Sequence, residues 1–213
     1  MSTTPTFKRL PRAVREQQML DAAVKVFSRR GFHAASMDEI AEDAGISKPM
    51  VYAYLGTKEE LFVACLHREG TRMMEAIAGV INPEMPADQR LWHGLRAFFR
   101  FVAAHRDGWV VLYRQARGEQ PFAGELAVMR ARMVEVVAGM LDRALRADGR
   151  EVREIDLEIQ AYALVGASES LADWLADRPD ADPDQLAARM VNIAWLGAGQ
   201  LLSGEVWRRP TEG

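Results

Sequence analysis

Residues 36–58 of the chain read SMDEIAEDAGISKPMVYAYLGTK, and this stretch carries the strongest structural signals in the sequence. Ser36 and Glu39 form an S-x-x-E pattern, which marks a helix start because each side chain can satisfy a backbone N–H of the other. Apolar residues then recur with helical spacing, at Met37, Ile40, Ala41 and Ala44. The pattern predicts a two-turn helix with one packed face.

A tight turn and a second helix follow at once. Gly45 can adopt the positive φ that a short turn requires, and Ser47 is a suitable N-cap. Pro49 falls in the first helical turn, where its missing N–H costs nothing. The sequence therefore predicts helix, turn and helix over about residues 36–55. The expected framework residues are Ile40, Ala41, Gly45, Ile46 and Val51.

The second helix of such a pair can read DNA. A helix-turn-helix places its second helix in the major groove while its first helix crosses the backbone. With Ile46, Val51 and Leu55 on the inner face, the outward side chains are Lys48, Met50, Tyr52, Ala53 and Tyr54. An αα-hairpin used only for packing has the same local pattern, so both interpretations stay open on this segment alone.

The flanking segments add a family resemblance. The run Leu20 to Phe32 reads LDAAVKVFSRRGF, and the run Val51 to Leu61 reads VYAYLGTKEEL. Together with residues 36–48 they resemble the TetR family of bacterial transcriptional repressors. Members show a small residue, a Gly, a Tyr and a Lys where this chain has Ala41, Gly45, Tyr52 and Lys58. The chain departs from the family pattern at Ala35, Met50, Ala53 and Leu55, where Thr, a small residue, His and Phe are usual.

The resemblance implies an architecture and a function. It implies a basic N-terminal arm (1–12), a three-helix DNA-binding domain (13–72), and a larger helical domain for ligand binding and dimerisation (73–213), joined by a long helix. The implied function is a ligand-responsive repressor that binds an inverted-repeat operator as a dimer and is released by a small molecule. A helix-turn-helix protein without a small-molecule ligand, either constitutive or controlled by a protein partner, is the alternative.

The rest of the sequence also favours an all-α fold. A first helix is predicted from about Ala13 to Arg30 with Gly31 as its C-cap, and Thr57 with Glu60 forms a second capping box that starts a long helix at Lys58. Breakers then separate segments at 88–105, 108–117, 122–147, 153–176 and 183–203. Trp109 to Tyr113 has a strand-like composition, but without a partner strand it is predicted to be a helical turn.

Charge is unevenly divided along the chain. The formal net charge is −3, but residues 1–58 hold nine basic and six acidic side chains, so the remainder is strongly acidic. The positive part contains the predicted DNA reader, as phosphate binding requires. Lys8, Arg9, Arg12 and Arg15 form a basic arm before the first helix. The arm is either a DNA contact or an ordinary solvated tail.

Specific roles follow for the candidate DNA-binding residues. Ser47 and Lys48 start the second helix, where backbone N–H groups favour phosphate, and Lys48 can also reach a base edge. Met50 and Ala53 are candidates to contact thymine methyls, and Tyr54 to contact sugar or phosphate. By resemblance, Tyr52 and Lys58 hold backbone phosphates. The complete set is Ser36, Ser47, Lys48, Met50, Tyr52, Ala53, Tyr54 and Lys58.

The C-terminal part supplies candidates for dimerisation and effector binding. The resemblance implies that the last two helices form a four-helix bundle between two subunits, with candidate residues Tyr162, Gly166, Trp174, Met190, Ile193, Gly197 and Leu201. It also implies a small-molecule effector of mainly apolar or aromatic character. Candidate pocket residues are Trp92, Phe99, Trp109, Tyr113, Arg114, Met133 and Glu169, with Phe122 in the same aromatic-rich region. An ordinary intrachain core is the alternative for both sets.

The sequence contains few features of an enzyme, a metalloprotein or a membrane protein. The four histidines are scattered, and the sequence has no zinc-ligand cluster, so no bound metal is expected. It also has no G-x-S-x-G motif and no phosphate-binding glycine loop, so we expect neither catalysis nor a cofactor. No apolar run reaches about 18 residues and the N-terminus lacks the apolar region of a signal peptide, so we expect a cytoplasmic protein without a membrane partner. Cys65, the sole cysteine, is predicted to be a small buried hydrophobe.

Overall fold

The computed structural model describes residues 11–82, 84–147 and 153–202, with the side chains of residues 144, 145, 147 and 195–202 excluded. All regular secondary structure in these ranges is helical, which confirms the all-α prediction. The helices are α1 Arg12–Ala34, α2 Met37–Asp43, α3 Lys48–Leu55, α4 Lys58–Ala78, α5 Ala87–Ala104, α6 Arg106–Trp109, α7 Ala116–Gly118, α8 Phe122–Ala147, α9 Glu154–Ala176 and α10 Pro183–Leu202, with a π-helical segment Val110–Gln115 between α6 and α7.

The chain forms two compact units. The first contains Met1–Gly70 together with Asp107–Leu126, and the second contains Thr71–Arg106 and Ala127–Gly213. This division differs from the single boundary predicted between residues 72 and 73. The difference arises because the segment from Asp107 to Leu126 packs with the N-terminal helices, a non-local contact that has no signature in the sequence.

The helix-turn-helix has the predicted form. Gly45 has a φ of +66°. Directly after it, the Ile46 backbone N donates to the carbonyl of Ala41 at 3.0 Å. At the start of α2 the Ser36 hydroxyl accepts from the backbone N of Glu39 at 3.1 Å. The Glu39 carboxylate accepts from Arg30 Nε at 3.1 Å, so the reciprocal half of the predicted capping box is replaced by a contact to α1.

Helix α1 is interrupted near its end. Gly31 has φ 77° and ψ 164°, and the chain resumes helical geometry beyond it to Ala34. Carbonyl groups around this break receive side-chain donors from distant residues. Gln115 Nε2 donates to the carbonyl of Phe27 at 2.5 Å. Lys58 Nζ donates to the carbonyl of Ala35 at 3.2 Å. Side chains far apart in sequence thus stabilise the C-terminal end of α1.

Four phenylalanines form the centre of the first unit. The Phe122 ring centroid lies 4.8 Å from that of Phe32 and 4.4 Å from that of Phe62, and Phe27 meets Phe62 edge-on at 5.0 Å. Phe122 therefore belongs to the core of the first unit, where it packs between α1 and α4. Nearby Cys65 is fully buried, as predicted, and burial raises the pKa of its thiol to about 12.

The strand-like run from Trp109 to Tyr113 is helical, which confirms that prediction. It spans the end of α6 and the beginning of the π-helical segment Val110–Gln115. The rings of Trp109 and Tyr113 stack with centroids 4.8 Å apart and planes 16° apart. Residues i and i+4 of a helical turn can place two rings face to face in this way, whereas an isolated strand would have no partner for its backbone.

The second unit is organised around α5, α9 and α10. Helix α5 buries Leu95, Phe98, Phe99, Phe101 and Val102. Helices α8 and α9 share a cluster of Val134, Val137, Ala161 and Val165. Asp184 at the start of α10 accepts from Arg96 Nε at 3.1 Å and from Arg100 Nη2 at 2.6 Å. The Arg100 hydrogen bond, followed by that from Arg96, lowers the Asp184 pKa, so the pair stays charged across the neutral range.

None of the helices within the described residues is both long enough and apolar enough to cross a lipid bilayer.

Candidate nucleic-acid interface

Helix α3 presents one buried and one exposed face. Val51 is fully buried and anchors the helix, and Ile40 and Ala41 of α2 are buried beneath it. Tyr52 is 45% exposed, Lys48 and Ala53 are also exposed, and Met50 and Tyr54 are half-buried. The outward residues predicted from the sequence therefore lie on the accessible side of the reader. Of the residues predicted to form the framework of the helix-turn-helix, Gly45 is exposed and Ile46 is half-buried at the turn.

Two arginines of α1 lie against this face. The Arg12 guanidinium is 5.2 Å from the centroid of the Tyr54 ring. Arg15 Nη1 is 3.4 Å from the Met50 sulfur. Both arginines were predicted to lie in an arm before the first helix, but α1 begins at Arg12 and both belong to its first turn. Lys8 and Arg9 of the predicted arm lie outside the described residues.

Most other cationic side chains of the first unit form an ion pair with a carboxylate, whereas these two arginines do not among the described residues. Lys25 pairs with Asp43 at 2.9 Å, and Arg68 pairs with Asp21 at 2.8 Å. Among the described residues, no carboxylate lies within salt-bridge distance of Arg12 or Arg15. Neither guanidinium is thus held in an ion pair by a described residue, which leaves both able to attract phosphate.

Lys48 is held by a carboxylate of the preceding helix. Its Nζ donates to Asp38 Oδ2 at 2.9 Å. The hydrogen bond from Lys48 to Asp38, together with the negative charge of that carboxylate, raises the pKa of Lys48. No partner for Asp38 is predicted from the sequence, because the contact joins two helices. The only sequence feature that relates the two residues is their opposite charge on either side of the turn, ten positions apart.

Lys58 has a structural role that the sequence analysis missed. Its Nζ donates to the carbonyls of His33 and Ala35, both at 3.2 Å, and lies 4.7 Å from the centroid of the Phe32 ring. An ammonium group has three N–H donors, so one remains for a phosphate. Lys58 thus links the end of α1 to the start of α4. The capping box at this start is complete: the backbone N of Thr57 donates to the Glu60 carboxylate at 2.8 Å, and the backbone N of Glu60 donates to the Thr57 hydroxyl at 3.2 Å.

The serines occupy the two helix starts. Ser36 is the N-cap of α2 and uses its hydroxyl on that helix, as described above. Ser47 is the N-cap of α3 with extended backbone, but its hydroxyl makes no cap hydrogen bond. The exposed Ser47 side chain therefore remains able to donate to an anion at the start of α3.

Known families match both parts of this architecture. Residues 19–65, which contain α2, α3 and the buried face of α1, match the family described as bacterial regulatory proteins, tetR family. Residues 87–197, more than half of the chain, match the family described as tetracyclin repressor-like, C-terminal domain. The chain belongs to the TetR family. It is a DNA-binding transcriptional regulator of the helix-turn-helix type.

Relatives of known name and structure agree with this membership. The TetR-family chain is 30% identical over 190 residues to the transcriptional activator FasR of Mycolicibacterium smegmatis, covering 89% of this chain and 85% of FasR. It is 47% identical to a TetR-like transcriptional regulator from Rhodococcus sp. RHA1 of known structure, with a TM-score of 0.78 and coverage of 90% and 99%. FadR from Bacillus halodurans shares the fold at 18% identity, with a TM-score of 0.74 and coverage of 91% and 96%.

The candidate effector residues of this TetR-family chain are divided between the two units. Trp109, Tyr113 and Arg114 belong to the first unit, and Trp92, Phe99, Met133 and Glu169 belong to the second. Several already have partners in the chain. Phe99 is fully buried, Met133 packs on the α8–α9 cluster, and the Glu169 carboxylate accepts from Arg130 Nε at 2.9 Å. Trp92 lines a pocket of about 340 Å³ together with Asp88, Gln89, Ala188, Val191 and Asn192.

The candidate dimer residues also separate into groups. Tyr162 and Trp174 of α9 and Ile193 of α10 are exposed, with Ile193 at 68%. Gly166 is half-buried. Met190 is only 3% exposed and packs in the core of its own chain, so it offers little surface to a second copy. Gly197 and Leu201 belong to the part of α10 for which only the backbone is described.

Proposed function

We propose that the chain is a homodimeric repressor that binds an inverted-repeat operator through α3 and is released by a small molecule bound in the second unit. The observation that carries this proposal is the exposed face of α3, which presents Tyr52 and Lys48, while Arg12 and Arg15 of α1 contact Tyr54 and Met50 of the same helix. Such a face combines base access with phosphate attraction.

Dimerisation is supported by an exposed apolar face on α9. Ile155, Ile159 and Tyr162 are each more than 40% exposed and recur at i, i+4 and i+7 along that helix. Contiguous exposed apolar side chains of this kind mark protein interfaces. Two copies related by a twofold axis would present two α3 helices to two half-sites about one helical turn of DNA apart, or a multiple of that distance.

Operator selection tests this proposal. The purified protein is expected to enrich an inverted repeat from a random DNA pool. Replacing Tyr52 with phenylalanine is expected to weaken binding to every sequence about tenfold, because each subunit loses a hydroxyl that donates to a phosphate. Fluorescence anisotropy on the selected operator and on unrelated duplexes measures the change.

Tyr54→Phe is the comparison for this variant, because Tyr54 is the other candidate tyrosine of α3. Phenylalanine retains the ring beneath the Arg12 guanidinium, so any loss of operator affinity in Tyr54→Phe reports a contact made by the Tyr54 hydroxyl. Tyr52 is chosen over Lys58 because any replacement of Lys58 also removes its two carbonyl contacts. Unchanged affinity in Tyr52→Phe would remove Tyr52 from the phosphate contacts, and absence of any enriched repeat would overturn the proposed function.

Repression is the proposed direction of regulation because a dimer that leaves DNA when ligand binds can act simply by blocking a promoter. FasR, the relative at 30% identity, is named an activator, which makes activation the alternative. Transcription in vitro from the promoter beside the selected operator distinguishes the two: repression predicts fewer transcripts when the protein is added.

The effector is proposed to be mainly apolar or aromatic and to bind in the second unit. Support comes from the aromatic content of α5, and an open surface pocket of about 340 Å³ at Trp92 is a candidate place for binding. Ligand binding would alter the spacing or tilt of the two readers through α4, whose residues belong to both units. The cytoplasmic location stays a prediction.

A metabolite panel separates ligand control from the alternative. A compound that binds only the native protein at 100 times its Kd stabilises it by about 2.7 kcal/mol and raises the Tm. A compound that raises the Tm and weakens operator binding would support the proposed effector. A panel of apolar and aromatic metabolites without any such shift would favour a regulator that is constitutive or controlled by a protein partner.

A further inference from the structure

The acidic side chains of α2 have different partners. Glu39 and Asp43 pair with cations of α1, whereas Asp38 pairs with Lys48, the first residue of the DNA-reading helix. The side chains of Asp38 and Lys48 are 71% and 44% exposed. The pair is therefore accessible at the N-terminal end of α3, the end of a recognition helix that contacts base edges.

A carboxylate at this place opposes binding through phosphates. Complexes with unrelated DNA are held almost entirely by cations that neutralise phosphates and release counterions. To act in this way, Lys48 must leave Asp38, and the abandoned carboxylate would then stand close to the negatively charged backbone. Lys48 can instead keep its bond to Asp38 and direct its two remaining N–H groups to the O6 and N7 acceptors of a guanine.

We propose that Asp38 determines specificity by holding Lys48 in a neutral pair, so that Lys48 contributes to base recognition in the operator and not to phosphate binding on other DNA. The inference rests on the proposed function, because it assumes that α3 reads DNA. Asp38 touches no base in this scheme and acts as a positioning residue through Lys48. It makes Lys48 different from Arg12 and Arg15, which have no carboxylate within salt-bridge distance in the described part of the chain.

The test is the salt dependence of binding to a random-sequence duplex by wild type, Asp38→Asn and Glu42→Gln. Glu42 is the matched control because it lies one turn along α2, is exposed and has no ion pair among the described residues. Freeing Lys48 adds one phosphate contact per subunit, so the slope of log K against log salt should steepen by about 1.8 per dimer. A fourfold rise in salt should then cost Asp38→Asn about twelvefold more affinity than wild type.

A second comparison connects the effect to Lys48. The variant Asp38→Asn should gain affinity for random DNA at low salt and lose discrimination in favour of the operator, whereas Glu42→Gln should keep the wild-type slope. In the double variant Asp38→Asn, Lys48→Gln the additional slope should disappear. Circular dichroism of each variant verifies that the helices are intact.

Two results would overturn the inference. Equal slopes for Asp38→Asn and Glu42→Gln would mean that Asp38 acts merely as general surface charge. A steeper slope that persists in the double variant would mean that Lys48 is not the cation released. Both comparisons use random DNA, so a failure of the inference can be told apart from a failed operator selection, which rejects the proposed function.

Discussion

Replacing Phe122 with alanine is expected to destabilise the first unit by about 3–5 kcal/mol, the range found for buried phenylalanines. Phe122 is 1% exposed, and its ring lies within 5 Å of the ring centroids of Phe32 and Phe62. Alanine would leave a cavity among rings that support α1 and α4. Because those helices hold α2 and α3, operator binding should weaken as the folded fraction falls.

Hydrogen exchange read by mass spectrometry measures this effect within the unit concerned. Amides of α1 and α4 should lose protection in Phe122→Ala, because their opening free energy falls with the stability of the unit. Val128→Ala is the control on the same helix: Val128 is 54% exposed, so its truncation should change stability by less than about 0.5 kcal/mol.

The result also tests the division of the chain into units. If amides of α1 and α4 keep wild-type protection in Phe122→Ala, the segment from Asp107 to Leu126 does not support the DNA reader, and the boundary predicted near residue 72 would be the better description. Loss of protection confined to α8 would have the same meaning.

Replacing Ile159 with aspartate is expected to raise the dimer dissociation constant about 1000-fold. Ile159 is 59% exposed at the centre of the apolar face of α9. In a twofold-symmetric dimer the substitution occurs twice, and a buried, unpaired carboxylate costs several kcal/mol. At about 2 kcal/mol per copy the total of about 4 kcal/mol corresponds to three powers of ten in Kd.

Sedimentation equilibrium over a range of concentrations measures the dimer dissociation constant directly. Val80→Asp is the control, because Val80 is an apolar residue of the second unit, 41% exposed, that lies outside α9. Val80→Asp should remain as dimeric as wild type. If Ile159→Asp also keeps the wild-type dissociation constant, the interface lies elsewhere. If wild type itself is monomeric at micromolar concentration, the proposed dimer is wrong.

The helix boundaries were predictable because short-range chemistry determines them. The Thr57–Glu60 capping box begins α4 where the sequence indicates, and Gly45 forms the predicted turn. The Ser36–Glu39 box shows where such reasoning ends. Its serine half forms, but the Glu39 carboxylate binds Arg30 of another helix, whose proximity no local pattern contains.

The outward residues of α3 followed from helical periodicity, since burial of Val51 leaves Lys48, Tyr52 and Ala53 exposed. Their neighbours did not follow. The contacts of Arg12 with Tyr54, and of Arg15 with Met50, depend on how α1 crosses α3. A crossing angle comes from the packing of two complete helix surfaces, which a linear pattern does not describe.

By itself, the sequence was sufficient for the helical class, the helix-turn-helix and its exposed reading face, because propensity, capping and periodicity act over a few residues. The tertiary structure was needed to place residues 107–126 in the first unit, to show that Met190 is buried in its own chain, and to pair Lys48 with Asp38. These features join residues that are distant in sequence or lie on different helices, and their energies exist only once the helices have packed.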